Sequence, residues 1–510
     1  MSALPSDSNS RGIRLFRTAL LLVPLVYLGG AAVILIHPSA IEYGEPFIVS
    51  ASYQVSQGGG LYAPVEDMPF LHNNYNPLVQ VMLAPVLAWT GPSYMPFRLL
   101  TIVSVLLLLL ALRSVAFART GSPVASALVL AIPLSGGFVF PWLAVGRVDA
   151  FALACAVVAF WRFVQRPVDQ WKSLVPLWIL CWMAFASKQT MLVVPVVIGL
   201  ELLMRRRIAL AFTFGLIYLA GCALLLLLFQ TLSDGQYWLH AVTYNASHGR
   251  TPFWPTDLSF VDLLNAFGLP FVFGGLIVLI FRPRGLDRRV LLWFAISLPW
   301  ALFLVRKDGS HVHYFFEAIV AGSLLIAEGW ARIVRNLAPR HAKVASALLL
   351  ALLMSTLPGV PLDRPGAWRT GAYFHAQQIK SYSQGGWFHE SSVAAVKSQL
   401  QGKAHPSLLL AQTATLAVEL GQPAIFDVGD FIRLQNMGRF DPEEKLLPMV
   451  RRRAFPVIGV QEFGDLVSEQ KFGATAVRGL REAIEQNYEP LTRTLRASDQ
   501  RVATFYVPRR

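Results

Sequence analysis

Apolar runs long enough to cross a bilayer recur from Leu15 to Gly359, and they constrain the fold of this 510-residue chain more than any other feature. The hydrocarbon core of a membrane is about 30 Å thick, so a spanning helix needs roughly 20 apolar residues. Charged residues are 15% of the chain, whereas soluble domains carry about 25%. The low charge indicates a large lipid-facing surface and excludes a soluble globular protein.

Twelve apolar segments predict helices, and the one at 77–91 is the least suited to span a membrane. It is short, it begins after Asn76-Pro77, and Pro85 lies inside it. The segments are 15–36, 77–91, 97–118, 122–143, 149–165, 173–187, 189–204, 208–232, 260–281, 289–305, 314–333 and 342–358. We therefore predict a polytopic α-helical membrane domain over residues 1–361, with about eleven transmembrane helices and a juxtamembrane helix at 77–91.

Residues 362–510 have the composition of an ordinary soluble domain. Short apolar runs predict strands, and the stretches between them predict helices. The predicted strands are Ser407–Ala411, Pro423–Phe426, Phe455–Val460 and Arg501–Val507, and the predicted helices are Ser391–Gln401 and Thr475–Gln486. This pattern predicts a C-terminal α/β domain, and it contains no glycine-rich nucleotide-binding loop.

Lys and Arg residues cluster between the apolar segments, a placement that marks the cytoplasmic side of a membrane protein. With eleven spans, 19 of the 25 Lys and Arg residues up to position 361 are cytoplasmic, and twelve spans would reverse the bias. We therefore predict a multi-pass protein of the plasma (inner) membrane with a cytoplasmic N-terminus and an extracytoplasmic C-terminal domain. The net charge of +14 then reflects topology rather than nucleic-acid binding.

On the predicted outer side, carboxylates occur together with six cations that run against this rule. The first outer loop, 37–76, carries Glu42 and Glu45, and the second loop contains Asp149. The six cations are Arg98, Arg147, Lys188, Arg250, Arg306 and Lys307. An anionic lipid headgroup would explain such cations, and an outer carboxylate suits a general base. Structural alternatives stay open: a solvated loop end for the glutamates, a local Arg147–Asp149 ion pair, a snorkelling Lys188 and a solvated turn at Arg306-Lys307.

Three motifs in this order resemble those of the GT-C superfamily, which includes the protein O-mannosyltransferases and the lipid A aminoarabinose transferases. They are Glu42-Tyr43-Gly44-Glu45, Tyr75-Asn76-Pro77-Leu78 and Arg147-Val148-Asp149. The stretch from Lys307 to Glu317, with His313 and Tyr314, also resembles a block of bacterial family 39-like transferases. The similarity covers the membrane domain. Glu replaces the commoner Asp as the first acid, and Asn76 replaces the first Pro of a Pro-Pro pair.

The resemblance implies an inverting glycosyltransferase that moves a sugar from a polyprenyl-phosphate donor to a lipid, glycan or protein acceptor on the extracytoplasmic side. It implies a carboxylate general base, with Glu45 favoured over Glu42 and Asp149 assisting. The implied donor-phosphate ligands are Arg147, Lys188, Arg306, Lys307 and His313, and the implied substrate-binding residues are Tyr43, Tyr75, Asn76 and Tyr314.

Two other classes of protein stay open: a transporter or flippase of lipid-linked glycans, and a non-catalytic membrane scaffold with an outer binding domain. A transporter places charged residues near the bilayer midplane, often within internal repeats, whereas the notable charges here lie at segment ends. The expected partners are the lipid donor, the acceptor and the bilayer, without nucleic acid. A divalent cation is compatible with this chemistry but is not required, and His311 and His313 alone do not make a metal site.

Overall fold

The helices of the protein follow the apolar periodicity of its sequence. The structure, a computed structural model, describes residues 11–37, 40–42, 44–136, 139–246, 267–307, 312–336, 349, 390–400, 409–411, 417–418, 420–422, 424–425, 441–462, 479–495 and 502–510. The membrane-type and loop helices are α1 (Arg11–Ile36), α2 (Glu45–Ser56), α3 (Leu78–Thr90), α4 (Met95–Thr120), α5 (Pro123–Ala131), α6 (Val148–Gln165), α7 (Val175–Ser187), α8 (Val193–Met204), α9 (Ile208–Leu232), α10 (Leu269–Phe281), α11 (Arg288–Leu304) and α12 (Phe316–Asn336). The C-terminal elements are α13 (Glu390–Leu400), β1 (Leu409–Ala411), α14 (Pro442–Arg451), β2 (Val457–Glu462), α15 (Leu480–Asn487), β3 (Tyr488–Leu495) and β4 (Val502–Pro508).

A helix lies at each predicted apolar segment from 15–36 to 314–333, which confirms the predicted helical class. The segment predicted at 122–143 is interrupted, because α5 ends before Pro133. Proline lacks a backbone N–H and clashes with the preceding helical turn. The rest of the segment forms a short 3-10 helix at Pro133–Ser135 and a short α-helix at Val139–Trp142. The predicted segment 342–358 lies outside the described residues except for Leu349.

Five of the described helices are long and apolar enough to cross a membrane: Gly12–Ile36, α4, α6, α9 and His313–Asn336. Helix α3 has 13 residues, which gives a length of about 20 Å at 1.5 Å per residue. That length falls short of the hydrocarbon core and agrees with a juxtamembrane helix. The number of spans and their orientation stay predictions.

The first of two compact units comprises Met1–Ile34, Leu99–Leu225 and Gly249–Ala376. Helices α10 and α12 pack closely within it because glycines face large side chains. A Cβ atom added at Gly322 would lie 2.6 Å from the Phe271 ring, and one at Gly329 would lie 2.6 Å from the Val278 side chain. Small residues that allow two helices to approach are typical of helix pairs in membranes.

Several arginines predicted to be cytoplasmic make ion pairs with buried carboxylates in this unit. Arg119 lies 2.9 Å from Asp287 and 3.1 Å from Glu328, and Arg289 lies 2.6 Å from Asp287. Asp287 also accepts the backbone N–H of Arg289 at the start of α11. These arginines therefore hold helix ends together, in addition to any part in setting the orientation of the chain.

We expect the substitution Asp287→Asn to lower the free energy of unfolding by about 2–3 kcal/mol, because it leaves Arg119 and Arg289 facing a neutral side chain. The loss is limited because Arg119 is partly exposed to solvent. Burial alone raises the pKa of Asp287, but hydrogen bonds and charge from Arg289 and the charge of Arg119 outweigh it and lower the pKa. Such a carboxyl stabilises the fold above its unfolded pKa of about 3.9 and loses that contribution as the pH falls through the folded value.

Thermal unfolding of wild type and variant at neutral pH and below about pH 4 tests this expectation. The difference between them should shrink in acid. The matched control is Asp169→Asn, since Asp169 is 61% exposed and lies 3.4 Å from Arg207, and its loss should change stability by less than about 0.5 kcal/mol. An Asp287→Asn variant as stable as this control would contradict the role of the ion pairs.

The second unit comprises Leu35–Arg98, Leu226–His248 and Gln377–Arg510, so it joins the first outer loop to the C-terminal part. Its sheet has the strand order β1-β2-β4-β3. Strands β1 and β2 are parallel, and the other two pairings are antiparallel. Strand β3, directly after α15, was not predicted, and a register irregularity between Pro490 and Thr492 interrupts its pairing with β4.

The sheet of the second unit is covered by apolar residues on helices and loops. One cluster includes Phe455 and Ile458 around β2, Leu446 of α14 and Ile484 of α15. A second cluster joins Val396 and Leu400 of α13 to Val457 and Phe505 of the sheet. The domain boundary predicted at residues 361 and 362 stays a prediction.

Candidate functional site

Asp149 lies at the centre of a buried charged cluster in the first unit. It is in the first turn of α6 and is fully buried. One of its carboxylate oxygens accepts a hydrogen bond from Lys188 Nζ, and Arg147 Nε lies 3.4 Å from the other. Lys188 directly follows α7, and its backbone N–H donates to the Ala184 carbonyl. Because α6 and α7 pack together, the start of α6 meets the end of α7 at this cluster.

Aromatic rings line the two cations of this cluster. The Arg147 guanidinium lies 4.6 Å from the centre of the Trp142 ring, and Lys188 Nζ lies 4.8 Å from the centre of the Tyr314 ring. His313 stacks on Trp142 with ring centres 4.9 Å apart and adjoins Tyr314 at 4.4 Å. We call Trp142, Arg147, Asp149, Lys188, His313 and Tyr314 the Asp149 cluster. Trp142 was not predicted, because a tryptophan near a segment end gives no functional signal by itself.

The Asp149 cluster suits the binding of an anionic group. Lys188 and Arg147 bring two positive charges to the Asp149 carboxylate, and an ammonium has three N–H donors of which Asp149 takes one. Buried charges are costly near a membrane and are commonly functional. Glu317, in the first turn of α12, is a second buried acid close enough to Lys188 for their charges to interact. An incoming phosphate would therefore compete with carboxylates for Lys188.

Glu45, in the second unit, is held in a bidentate ion pair. Arg98 Nε lies 2.8 Å from one of its carboxylate oxygens, and Arg98 Nη2 lies 2.8 Å from the other. The second oxygen also accepts the Ile41 backbone N–H at 2.8 Å. Both charged side chains are fully buried. This pairing explains why Arg98 is found on the predicted outer side: its partner is a carboxylate of its own chain.

Glu42 is half-buried, three residues before Glu45. One of its carboxylate oxygens accepts the Gly44 backbone N–H at 2.8 Å, and its carbonyl accepts the Glu45 backbone N–H at 3.2 Å. The other carboxylate oxygen is buried, and the Glu42 backbone is fixed to the start of α2. Tyr43, a predicted substrate-binding residue, lies outside the described residues.

Tyr75 and Asn76 take part in a hydrogen-bonded network of the second unit. Tyr237 donates a 2.7 Å hydrogen bond to the side-chain oxygen of Asn76, which is fully buried. Burial raises the pKa of Tyr237 to about 12, so its hydroxyl keeps its proton and remains a donor. Tyr62 donates to the Tyr75 carbonyl at 2.6 Å. These contacts brace the start of α3, and a role for Asn76 and Tyr75 in substrate binding stays a prediction.

The structure describes some of the remaining predicted cationic and histidine residues but not others. Arg306 and Lys307 follow α11 and are half-buried, whereas Arg250 and His311 lie outside the described residues. Among the side chains that the structure describes, no group of three His, Cys, Asp or Glu residues could hold a metal ion. The Asp149 cluster and the Glu42 loop belong to different units, and their convergence on one pocket stays a prediction.

Long apolar helices and a buried cluster of charges define a polytopic membrane protein. Its fold is similar to that of ArnT from Cupriavidus metallidurans bound to undecaprenyl phosphate, with a TM-score of 0.61 and 15% identity over 95% of this chain and 97% of that chain. The apo state of the same protein gives a TM-score of 0.57 and 14% identity, with the same coverage of both chains.

The archaeal oligosaccharyltransferase AglB from Archaeoglobus fulgidus, in complex with an inhibitory peptide and a dolichol-phosphate, has a TM-score of 0.51 and 12% identity. The likeness covers 92% of this chain and 72% of that chain. These structures have the GT-C fold, and the likeness confirms the GT-C fold predicted from the motifs. No family profile and no curated protein matches the sequence of this chain.

Proposed function

We propose that this protein is a membrane glycosyltransferase that takes its sugar from a polyprenyl-phosphate donor. The observation that carries the proposal is the Asp149 cluster, where two buried cations and three aromatic or imidazole rings surround one carboxylate. Two of the solved structures with this fold hold a polyprenyl phosphate: undecaprenyl phosphate in ArnT and a dolichol-phosphate in AglB. Donor recognition through a phosphate group is therefore the function that this cluster supports best.

In this proposal Lys188 and Arg147 hold the donor phosphate and stabilise the negative charge that grows on it as the glycosidic bond breaks. Arg147 supplies a planar fork of N–H donors, and Lys188 a compact charge. His313 and Tyr314 complete the site beside the phosphate, and Asp149 keeps both cations in place before the donor arrives. Arg306 and Lys307 stay candidates for a second contact with the headgroup.

The proposed general base is Glu42. A base must reach the acceptor hydroxyl. One oxygen of the half-buried Glu42 is held by a backbone N–H, that of Gly44, whereas both oxygens of Glu45 are bound by the Arg98 guanidinium. Proton transfer to Glu45 would break its bidentate ion pair with Arg98, which makes Glu45 the less suitable base. Glu42 would take the proton of an acceptor hydroxyl while that oxygen attacks the anomeric carbon and the polyprenyl phosphate departs. Attack opposite the leaving group gives inversion on the extracytoplasmic side.

Incubating the purified full-length protein with radiolabelled polyprenyl-phosphate sugars tests this function. We expect label to move from the lipid to an acceptor in a membrane extract, and unlabelled undecaprenyl phosphate to inhibit the transfer. Lys172→Met is the matched control for changes at Lys188, since Lys172 is an exposed lysine before α7. Movement of the intact lipid-linked sugar across vesicle membranes without transfer would instead support a flippase. If neither activity is found, a non-catalytic scaffold is the interpretation that remains.

A further inference from the structure

Helix α2 connects the proposed base to the rest of the second unit. Glu45 is its first residue, and the Glu45 backbone N–H binds the Glu42 carbonyl. Gly44 caps the helix but has no side chain that could bind the first turn. The acidic loop is therefore held by backbone contacts with α2, and its position depends on the position of that helix. Whatever fixes α2 also fixes the backbone from which the Glu42 side chain extends.

The C-terminal part of the chain binds one face of α2 through the backbone of Ala424. The Ala424 N–H donates to Ser50 Oγ at 2.8 Å, and the Ala424 carbonyl accepts from Gln54 Nε2 at 2.9 Å. Ser50 and Gln54 are four residues apart, so they lie on the same face of the helix. The segment Pro423–Phe426 was predicted to be a strand, but its two described residues, Ala424 and Ile425, are not in a strand.

The next residue, Ile425, holds the loop that precedes α3, and we call the two residues the Ala424–Ile425 bridge. The Ile425 carbonyl accepts the Phe70 N–H at 3.1 Å. Phe70 and Val65 belong to the apolar cluster that contains Ile425, Leu446 and Phe455. On the other side, Phe47 of α2 and Leu71 pack against the cluster that contains Ala424, Val457 and Phe505. Both ends of the first outer loop thus share cores with the C-terminal sheet.

From this geometry we infer that the C-terminal part of the chain is a positioning element, which holds α2 and the Glu42 loop in place through the Ala424–Ile425 bridge. The inference rests on the proposed function for its catalytic meaning. It assigns Ser50 and Gln54 as positioning residues, since neither needs to touch a substrate. A separate acceptor-binding module would not need to use its buried backbone groups to bind a helix of the outer loop.

The test uses the full-length protein with Ser50→Ala and Gln54→Glu combined. Ser50→Ala removes the acceptor of the Ala424 N–H, and Gln54→Glu keeps the size of the side chain but replaces the amide donor by an oxygen that repels the Ala424 carbonyl. Loss of one buried and one partly buried hydrogen bond should raise the rate of hydrogen exchange in peptides covering residues 41–56 by about tenfold or more. We expect kcat per folded enzyme to fall about tenfold, while the donor KM changes less than about twofold.

Ser56→Ala is the matched control, because the hydrogen bonds described for the Ser56 hydroxyl are local: it donates to the Tyr53 carbonyl and accepts from the Gln57 side chain. It should leave both exchange and kcat unchanged. Each single variant should give a smaller effect of the same kind if the double variant folds poorly. The acid limb of the pH–rate profile should keep its position in the double variant, since Glu42 is still present, and only the amplitude should fall.

Unchanged exchange in peptides 41–56 would overturn the inference, as would faster exchange without any loss of kcat. A wild-type protein that transfers no sugar from any donor overturns the proposed function instead. In that case hydrogen exchange alone decides whether the C-terminal part holds the outer loop. Failure of the inference and failure of the proposed function therefore give different results.

Discussion

The substitution Lys188→Met should reduce sugar transfer by at least about 10²-fold, because it removes the compact charge that is proposed to hold the departing phosphate. The same change leaves Asp149 buried with one cation fewer. Breaking a buried ion pair by removing one partner costs about 3–5 kcal/mol. We therefore expect a lower melting temperature as well as lost activity, measured on the purified protein in detergent.

A second variant separates these two effects. Combining Lys188→Met with Asp149→Asn removes both charges of the closest pair. It should recover part of the lost stability, because Asp149 no longer leaves a buried negative charge, although Arg147 then faces a neutral side chain. Transfer should remain absent, since the phosphate still lacks its cation. If the pair only joined α6 to α7, the double variant would regain both stability and transfer. The Lys172→Met control should keep full activity.

The second large effect concerns the two glutamates of the outer loop, which should respond to substitution in opposite ways. Glu42→Gln should lower kcat by about 10²–10⁴-fold, the usual contribution of a general base, and change the melting temperature little. The acid limb of the pH–rate profile should disappear with it. Glu45→Gln should instead destabilise the protein by about 3–5 kcal/mol, because the buried Arg98 guanidinium loses the carboxylate that binds it at 2.8 Å through two nitrogens.

Glu66→Gln is the matched control for both variants, since Glu66 is an exposed residue of the same loop. It should affect neither stability nor transfer. The assignment of Glu42 as base fails if Glu42→Gln keeps more than a third of the activity. A Glu45→Gln variant that is stable but inactive would support Glu45 as the base, as the sequence resemblance implies.

Local patterns in the sequence predict much of the membrane part. The apolar segments locate the helices because lipid-facing and buried positions both need apolar side chains. The meeting of Lys188 with Asp149 also follows from the sequence in outline. Consecutive apolar segments joined by a short basic turn pack antiparallel, so the residues at their opposite ends lie on the same side.

Contacts between distant parts of the chain could not be predicted in this way. Arg98 and Glu45 are 53 residues apart, and the sequence indicated only that an outer cation needs an anionic partner. A lipid headgroup and a carboxylate of the same chain satisfy that need equally well, so composition cannot choose between them. Strand β3 was missed for a related reason: its register against β4 depends on pairing rather than on its own alternation of residues.

The Ala424–Ile425 bridge also affects how sequences related to this one can change over evolution. Ala424 binds α2 through its main-chain N–H and carbonyl, so any residue other than proline that is small enough for that 1% exposed position keeps both bonds. Positions 50 and 54 have no such freedom, because their side chains must supply one acceptor and one donor a helical turn apart. In distant homologues, we therefore expect the acceptor at position 50 and the donor at position 54 to be kept even where the sequence around position 424 can no longer be aligned.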